Sequence, residues 1–144
     1  MAKIVIVDDD ELVIEKATPA LERAGHEVVT VHHGDEAMAA IIDNRADLVI
    51  LDQMLPGRSG MHILAELRQH PDAVDLPVMM LTSRGTPLHI ELADRSGADD
   101  YVTKPFDPGG LPARVQALLR GAGISRAART GAEAPDADAG ATED

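Results

Sequence analysis

The sequence predicts an α/β protein built on a doubly wound sheet of five parallel strands with five helices. Short runs of Val, Ile and Leu recur along the chain, and none of them alternates cleanly with polar residues. Strands that are apolar on both faces are typical of parallel sheets covered by helices. Segments of helical periodicity lie between these runs, and regular alternation of strand and helix favours a doubly wound sheet.

The apolar runs locate the strands. Val and Ile dominate the first three runs, and the fifth run is the weakest. The predicted strands are Ile4–Val7, Val28–Val31, Leu48–Leu51, Val78–Leu81 and Tyr101–Thr103. The chain has one Tyr, one Phe and no Trp, and both aromatic residues lie in "YVTKPF", so we expect an aliphatic core.

The helices are predicted from their spacing of apolar residues and from the residues that stop them. Glycine or proline directly follows four of the five segments, and both residue types end helices. The predicted helices are Glu11–Ala24, Asp35–Asn44, Gly60–His70, Thr86–Ser96 and Leu111–Arg120. Pro19 lies inside the first, where it removes a backbone hydrogen bond. The last is expected to begin late, near Leu111, with Pro112 in its first turn.

The chain divides into a folded domain over residues 1–120 and a tail over residues 121–144. From Gly121 onward the sequence is rich in Ala, Gly and Asp and poor in large apolar residues. Such a segment buries too little apolar surface to become ordered, so we expect a disordered tail. It is also too short for an effector domain, so we expect a stand-alone protein that acts through contacts with other proteins.

Composition excludes several classes of function. The 144 residues include 13 basic and 25 acidic side chains, which gives a formal net charge of −12. A surface this acidic repels phosphate backbones, so we expect no direct binding to nucleic acid. No apolar run is long enough for a membrane span and no signal peptide is recognisable, so we expect no membrane insertion. The absence of cysteine excludes thiolate metal sites and suits a cytoplasmic protein.

Polar residues follow four of the predicted strands. Asp8–Asp10 follow the first strand, Asp52 the third, Thr82 the fourth and Lys104 the fifth. Ligands of open parallel sheets bind at the carboxyl ends of the strands, so these side chains are expected to meet. Clustered carboxylates need a cation, and oxygen ligands of this kind favour Mg²⁺. Taken alone, the three adjacent aspartates are also compatible with stabilising the N-terminus of a helix.

The motifs at these strand ends resemble the receiver domain of bacterial two-component response regulators. The matching stretches are "VDDD", "LDQMLPGRSG", "LTS" and "GADDYVTKPF", with the spacings between them, and the resemblance covers residues 3–120. Each motif alone is weak, whereas the complete set is specific. The resemblance implies a flavodoxin-like receiver fold with strand order 2-1-3-4-5.

The resemblance also implies a role for each acidic residue. Asp52 would be the phosphoacceptor, a carboxylate that takes a phosphoryl group from a histidine kinase or a histidine phosphotransfer protein. Asp9 and Asp52 would bind Mg²⁺ directly, together with the backbone carbonyl of Met54, and Asp8 would act through water. Asp10 lies at a position that the family leaves variable, so it is expected to serve the helix after it.

The remaining residues of the motifs would respond to the phosphoryl group. By resemblance, Lys104 would pair with Asp52 and then with a phosphoryl oxygen. Thr82 would move its hydroxyl to another phosphoryl oxygen, and Tyr101 would turn inward behind it. Pro105 follows Lys104 where the family has a cis peptide bond. The expected protein is therefore a phosphoacceptor in signalling rather than an enzyme in the usual sense.

Three other classes of protein compete with this interpretation. A haloacid-dehalogenase-type phosphatase resembles a D-x-D pattern, but Met54 stands at the second position after Asp52 and cannot act as an acid. A flavodoxin would meet three carboxylates where it needs to bind a phosphate. The alternative that stays open is a pseudo-receiver, which acts only as a protein-interaction module without phosphorylation.

The oligomeric state is predicted from the fourth helix, fifth strand and fifth helix. The motifs look most like those of receivers from DNA-binding regulators, which dimerise through these elements when phosphorylated. Asp99, Asp100 and Arg114 lie where charges would pair across such an interface. Glu91 and Asp94, however, occupy positions of apolar contact, and burying unpaired carboxylates is costly. We therefore expect a monomer that offers an acidic face to a different protein.

Overall fold

Five parallel strands form a single sheet in the order β2-β1-β3-β4-β5, as the family resemblance predicts. The structure is a computed structural model that describes residues 2–83 and 87–130. All four pairs of neighbouring strands are parallel. The strands are β1 Lys3–Val7, β2 Glu27–Val31, β3 Leu48–Leu51, β4 Val78–Thr82 and β5 Asp100–Thr103. Each predicted strand is therefore confirmed to within one residue at either end.

The helices alternate with the strands and cover both faces of the sheet. They are α1 Glu11–Arg23, α2 Ala37–Asp43, α3 Gly60–Gln69, α4 Pro87–Arg95 and α5 Leu111–Thr130. The predicted second helix is shorter than expected, because its first residues form a separate 3-10 turn at Gly34–Glu36. Helix α1 continues through Pro19. Helix α5 begins at Leu111 as predicted, after a 3-10 turn at Pro108–Gly110.

The predicted end of the last helix is wrong. Helix α5 does not stop at Arg120 but extends to Thr130, so residues 121–130 of the expected disordered tail are helical. The stop signal fails because Gly121 keeps a helical backbone, whereas Gly25 and Gly97 end α1 and α4 with φ angles of 96° and 103°. The rest of the predicted tail, residues 131–144, lies outside the described residues, as does the expected helix start at Thr86.

The sheet separates two aliphatic cores. One core lies between the sheet and helices α2, α3 and α4, and the other lies between the sheet and helices α1 and α5. Ile4 and Ile6 point to the second core, while Val5 and Val7 point to the first, as the two-residue period of a strand requires. Every residue of β3 and β4 is buried, which confirms the prediction that these strands are covered on both faces.

Within the described ranges 2–83 and 87–130, none of the helices combines the length and the apolar character needed to cross a bilayer.

Candidate functional site

Two buried aspartates continue strands β1 and β3 beyond their ends. The backbone N–H of Asp52 donates to the carbonyl of Val7 at 2.9 Å, and the N–H of Asp8 donates to the carbonyl of Val31 at 2.9 Å. These bonds extend the sheet ladder, so both side chains are fixed at the carboxyl edge of the sheet. Asp8 is 1% exposed and Asp52 is 4% exposed.

Three carboxylates meet at this edge. Asp8, Asp9 and Asp52 each place one carboxylate oxygen within 4.8 Å of the others, and Asp9 is the exposed member. Asp10 points elsewhere: its side chain accepts a hydrogen bond from the N–H of Leu12 at 3.0 Å and caps helix α1. The expectation that Asp10 serves the helix is therefore confirmed. Asp10 caps α1, whereas Asp8 and Asp9 belong to the carboxylate cluster.

Lys104 brings a positive charge to the two buried carboxylates. Its Nζ lies 3.0 Å from Oδ2 of Asp8 and 3.3 Å from Oδ2 of Asp52. The peptide bond from Lys104 to Pro105 is cis, as the resemblance predicts, and the Lys104 N–H donates to the carbonyl of Thr82 at 2.9 Å. Burial disfavours the charged ammonium, but contact with Asp8 and the attraction of Asp52 outweigh it and raise the pKa of Lys104.

The pKa of Asp8 is shifted strongly from its ordinary value. Burial is the largest cause, and it raises the pKa of Asp8 from 3.8 to about 6, against the opposing effects of the Asp10 N–H and Lys104. The Oδ2 atom of Asp8 is buried, and it contacts the ammonium of Lys104 at 3.0 Å. Three carboxylates, of which two are buried and share a single ammonium, fit a divalent cation with oxygen ligands.

The loop after β3 is held close to the acidic cluster. Its Met54 N–H points to Oδ1 of Asp52 at 3.4 Å, while the Met54 side chain is 52% exposed. The N–H of Gly60, the first residue of α3, donates to the carbonyl of Gln53 at 3.0 Å. A Cβ atom at Gly60 would overlap the carbonyl of Asp52, so only glycine permits this close approach. Helix α3 therefore fixes the backbone on both sides of the Asp52–Gln53 peptide.

A second loop packs against the loop after β3. Gly34, which lies beyond the end of β2, is buried, and its N–H donates to the carbonyl of Pro56 at 3.0 Å. A Cβ atom at Gly34 would overlap the backbone carbonyl of Arg58, and one at Gly57 would overlap the ring of His33. The two loops are thus in contact through glycines, and the position of one depends on the position of the other.

Thr82 and Tyr101 lie on the strands beside the acidic cluster. Thr82 is fully buried at the end of β4. Tyr101 lies on β5, where its ring is half-buried against the core that faces α3 and α4. Its hydroxyl donates to Oε1 of Gln53 at 3.1 Å. Thr82 therefore lies on the strand next to the Asp52 strand, and Tyr101 lies one strand further out.

Comparison with known families agrees with this geometry. The family model of the response regulator receiver domain matches residues 4–116, which is most of the chain. The chain belongs to this family. The family is one of signalling proteins rather than classical enzymes, and the resemblance drawn from the sequence motifs is confirmed.

The receiver is similar to parts of several transcriptional regulators. It is 42% identical over 120 residues to the phosphate regulon transcriptional regulatory protein PhoB of Pseudomonas aeruginosa, covering 83% of this chain and 52% of that protein. It is 40% identical over 118 residues to the alkaline phosphatase synthesis transcriptional regulatory protein PhoP of Bacillus subtilis, covering 82% of this chain and 48% of that protein. The chain spans about half the length of the curated relatives it matches.

Solved structures of other receivers share the fold. A beryllofluoride-activated N-terminal receiver domain of RstA from Klebsiella pneumoniae is 36% identical, with a TM-score of 0.75 over 82% of this chain and 98% of that chain. A chemotaxis response regulator from Vibrio cholerae is 30% identical, with a TM-score of 0.77 over 82% of this chain and 98% of that chain. These likenesses confirm the receiver fold that the sequence predicts.

Two contacts of this receiver were not predicted from the sequence. The direct contact of the Asp8 carboxylate with Lys104 was not among the expectations, and the binding of Mg²⁺ by Asp8 through water stays a prediction. Gln53 was given no role, although it accepts the hydroxyl of Tyr101 across 48 positions of sequence. A polar residue directly after the strand-end Asp52 was the only available signal for Gln53, and such residues are common in loops.

Proposed function

We propose that this receiver accepts a phosphoryl group on Asp52 from the phosphohistidine of a histidine kinase or a histidine phosphotransfer protein, in a reaction that requires Mg²⁺. The observation that carries the proposal is the cluster of Asp8, Asp9 and Asp52, whose two buried carboxylates share the ammonium of Lys104. The three carboxylates suit a bound cation, and the Lys104 ammonium suits an incoming phosphoryl anion.

The reaction is a transfer between two nucleophiles. A carboxylate oxygen of Asp52 forms a bond to phosphorus while the bond from phosphorus to the histidine nitrogen breaks, so the products are an acyl phosphate and a neutral imidazole after it takes a proton. A bound Mg²⁺ would supply positive charge that lets one anion approach another. Asp9, Asp52 and the Met54 carbonyl are proposed as its direct ligands, and Asp8 as a ligand through water.

Lys104 is proposed to change partners during the reaction. In the resting protein its ammonium is shared between Asp8 and Asp52. When Asp52 becomes an acyl phosphate, its charge moves outward to the phosphoryl oxygens, and the ammonium would follow. The fixed position of the Lys104 backbone, which is bonded to Thr82, supports this role because only the side chain needs to move.

Thr82 and Tyr101 are proposed as the residues that report phosphorylation to the surface. The Thr82 hydroxyl would bind a phosphoryl oxygen, and Tyr101 would take an inward position behind it. A bound ligand shifts such an equilibrium only by contacts that differ between the two states. The proposal is supported by the position of Thr82 on the strand next to β3 and by the reach of the Tyr101 hydroxyl to Gln53, the residue after Asp52. The output surface would be formed by β4, β5 and the neighbouring helices.

The downstream partner is proposed to be a protein, and the receiver itself is proposed to act as a monomer. Three carboxylates of the surface between α4 and β5 already have partners within the chain: Glu91 pairs with Arg95, Asp99 with Arg68, and Asp100 with Arg114. The expected acidic face is thus less charged than its sequence suggests. The expected absence of nucleic-acid contact and the cytoplasmic location stay predictions.

Labelling of Asp52 tests the proposal directly. Asp52→Asn should abolish labelling by a small phosphodonor or a kinase, and Asp9→Ala should weaken it strongly by loosening the metal. Asp43→Asn, at an exposed residue that ends α2, is the matched control and should label like the unsubstituted protein. Labelling that persists in Asp52→Asn would contradict the assignment. An unsubstituted protein that no phosphodonor labels would favour the pseudo-receiver.

A further inference from the structure

We infer that Gln53 is a positioning residue for the switch of this receiver: it holds the hydroxyl of Tyr101 and thereby favours the arrangement that binds a phosphoryl group on Asp52. The inference rests on the proposed phosphorylation of Asp52. It concerns a residue that the family resemblance gave no role.

The first support is the distance that the Tyr101 side chain bridges. Strand β4 lies between β3 and β5, so Tyr101 and the loop after β3 are separated by about 10 Å, or two strand spacings. The Tyr101 hydroxyl nevertheless reaches Oε1 of Gln53 at 3.1 Å. The ring must therefore lie across β4 rather than away from the sheet.

The second support is the strand register, which places Thr82 beside the path of the ring. Tyr101 is paired with Met80 on β4, and Met80 is paired with Leu51 on β3. All three pack in the same core. Thr82 lies two residues beyond Met80 and thus on the same face of the strand. A ring that spans from β5 to Gln53 passes over this part of β4 and limits the positions open to Thr82.

The third support is the way in which the Gln53 backbone is held. Its carbonyl accepts the N–H of Gly60, and the neighbouring Asp52 carbonyl is in contact with the same glycine. Gln53 is half-buried between the two proposed metal ligands Asp52 and Met54. Because the backbone that carries this side-chain acceptor is held in place, the Tyr101 position is linked to the backbone of the phosphorylation site.

Together these contacts predict a receiver whose Tyr101 is already across β4 before phosphorylation. A ligand on Asp52 that requires this arrangement then binds more tightly, because less of its binding free energy is used to move the ring. Loss of either the donor or the acceptor should weaken binding of that ligand, and loss of both should cost no more than loss of one.

A double-mutant cycle with beryllofluoride, which mimics the phosphoryl group, tests the inference. Gln53→Met keeps the length of the side chain and removes the acceptor, and Tyr101→Phe removes only the donor. Each should weaken beryllofluoride binding by about three- to tenfold, the range for one neutral hydrogen bond. The double variant should lose no more than either single one. Affinities are measured by calorimetry or ¹⁹F NMR at saturating Mg²⁺.

Three controls separate positioning from general damage. The Mg²⁺ affinity measured without beryllofluoride should stay within about twofold in Gln53→Met, Tyr101→Phe and the double variant, because the proposed metal ligands are untouched and no charge is added. Gln69→Ala, at an exposed glutamine that ends α3, should leave both affinities unchanged. Gln53→Glu keeps an acceptor, so Tyr101→Phe should again weaken binding in that background.

The outcomes distinguish the inference from the proposed function. If the single variants bind beryllofluoride as tightly as the unsubstituted protein, or more tightly, the role of Gln53 is overturned and the proposed phosphorylation of Asp52 is not. Additive losses in the double variant would do the same. Failure of the unsubstituted protein to bind beryllofluoride would overturn the phosphorylation of Asp52, and the inference with it.

Discussion

The ammonium of Lys104 lies closer to Asp8 than to the proposed phosphoacceptor, with Nζ 3.0 Å from the Asp8 Oδ2 atom. Both side chains are largely buried, at 16% and 2% exposed. The pair therefore stabilises a carboxylate that burial alone would neutralise. Lys104 thereby supplies part of the positive charge that the buried Asp8 carboxylate requires.

The raised pKa of Asp8 predicts a pH-dependent cost to stability in EDTA. The folded protein binds the Asp8 proton up to about pH 6, whereas the unfolded chain releases it near pH 3.8. The contribution is therefore favourable below about pH 4 and is lost as the pH rises through 6. Asp8→Asn removes the carboxylate. The free energy of unfolding of this variant should therefore equal that of the unsubstituted protein near pH 4 and exceed it by as much as about 3 kcal/mol at pH 8.

Urea unfolding at several pH values, with Asp43→Asn as the exposed control, measures this difference. An Asp8→Asn protein that is less stable than the unsubstituted protein at pH 8 would show that the ion pair with Lys104 outweighs the cost of burial.

Arg68 is predicted to hold the edge of the sheet opposite the acidic cluster. Its guanidinium donates to the carbonyls of Gly97 and Leu76 at 2.6 and 2.7 Å and to Asp99 at 2.9 Å. Arg68→Ala leaves these acceptors without their donor, so it should lower the free energy of unfolding by about 2 to 3 kcal/mol. Arg95→Ala breaks only an exposed pair within α4 and should cost about 0.5 kcal/mol or less.

Chemical denaturation of the two arginine variants gives the comparison, and phosphorylation of Asp52 should survive in both. Arg68→Lys retains the charge but not the fork of donors, so it should fall between the two alanine variants. Equal stabilities of Arg68→Ala and Arg95→Ala would contradict the role of Arg68.

Two glycine-to-alanine substitutions are predicted to have opposite effects. Gly34→Ala would overlap the Arg58 carbonyl and displace the loop that carries Met54, so it should lower stability by about 1 to 3 kcal/mol. It should also weaken Mg²⁺ binding. Gly121→Ala meets no atom within 4 Å and lies inside α5, so it should raise stability by about 0.5 to 1 kcal/mol. Thermal unfolding, with and without Mg²⁺, measures both effects.

A destabilised Gly121→Ala protein would argue against the continuous helix across that position, and a neutral Gly34→Ala would show that the two loops are free to move apart.

The activated receiver is predicted to stay monomeric. Arg114 donates two hydrogen bonds to Asp100 at 2.8 and 2.9 Å, and these bonds hold the pKa of Asp100 below its ordinary value. A pair so well satisfied within one chain gains little from a second copy, while Asp94 would bring an unpaired carboxylate to the contact. Sedimentation of the beryllofluoride complex at tens of micromolar should give the mass of one chain, and twice that mass would contradict the prediction.

The strands and helices of this receiver were predicted from local sequence patterns, and the wrong end of α5 results from relying on such a pattern. Gly25 and Gly97 were correctly predicted as helix stops, and both adopt positive φ angles. Gly121 has the same sequence signal but stays helical, because a glycine permits a stop without requiring one. A glycine after a run of helical periodicity is therefore not enough to decide where the helix ends.

The site was predicted in part for a comparable reason. Strand ends are visible in the sequence, so Asp8, Asp9, Asp52 and Lys104 were expected to meet, and they do. Lys104 lies only a few tenths of an ångström closer to Asp8 than to Asp52, and so small a difference depends on the details of packing. The contact of Gln53 depends on how far a ring extends across β4. Neither is encoded in residue type or spacing.

The hydrogen bond from Tyr101 to Gln53 also makes this receiver convenient to observe. Tyr101 is the only tyrosine in the chain, and there is no tryptophan. All tyrosine emission from the protein therefore originates at one ring, on the strand that is proposed to respond to phosphorylation. Because phenol emission responds to changes around its hydroxyl, the light emitted by the native chain would report on the surroundings of this ring without an introduced label.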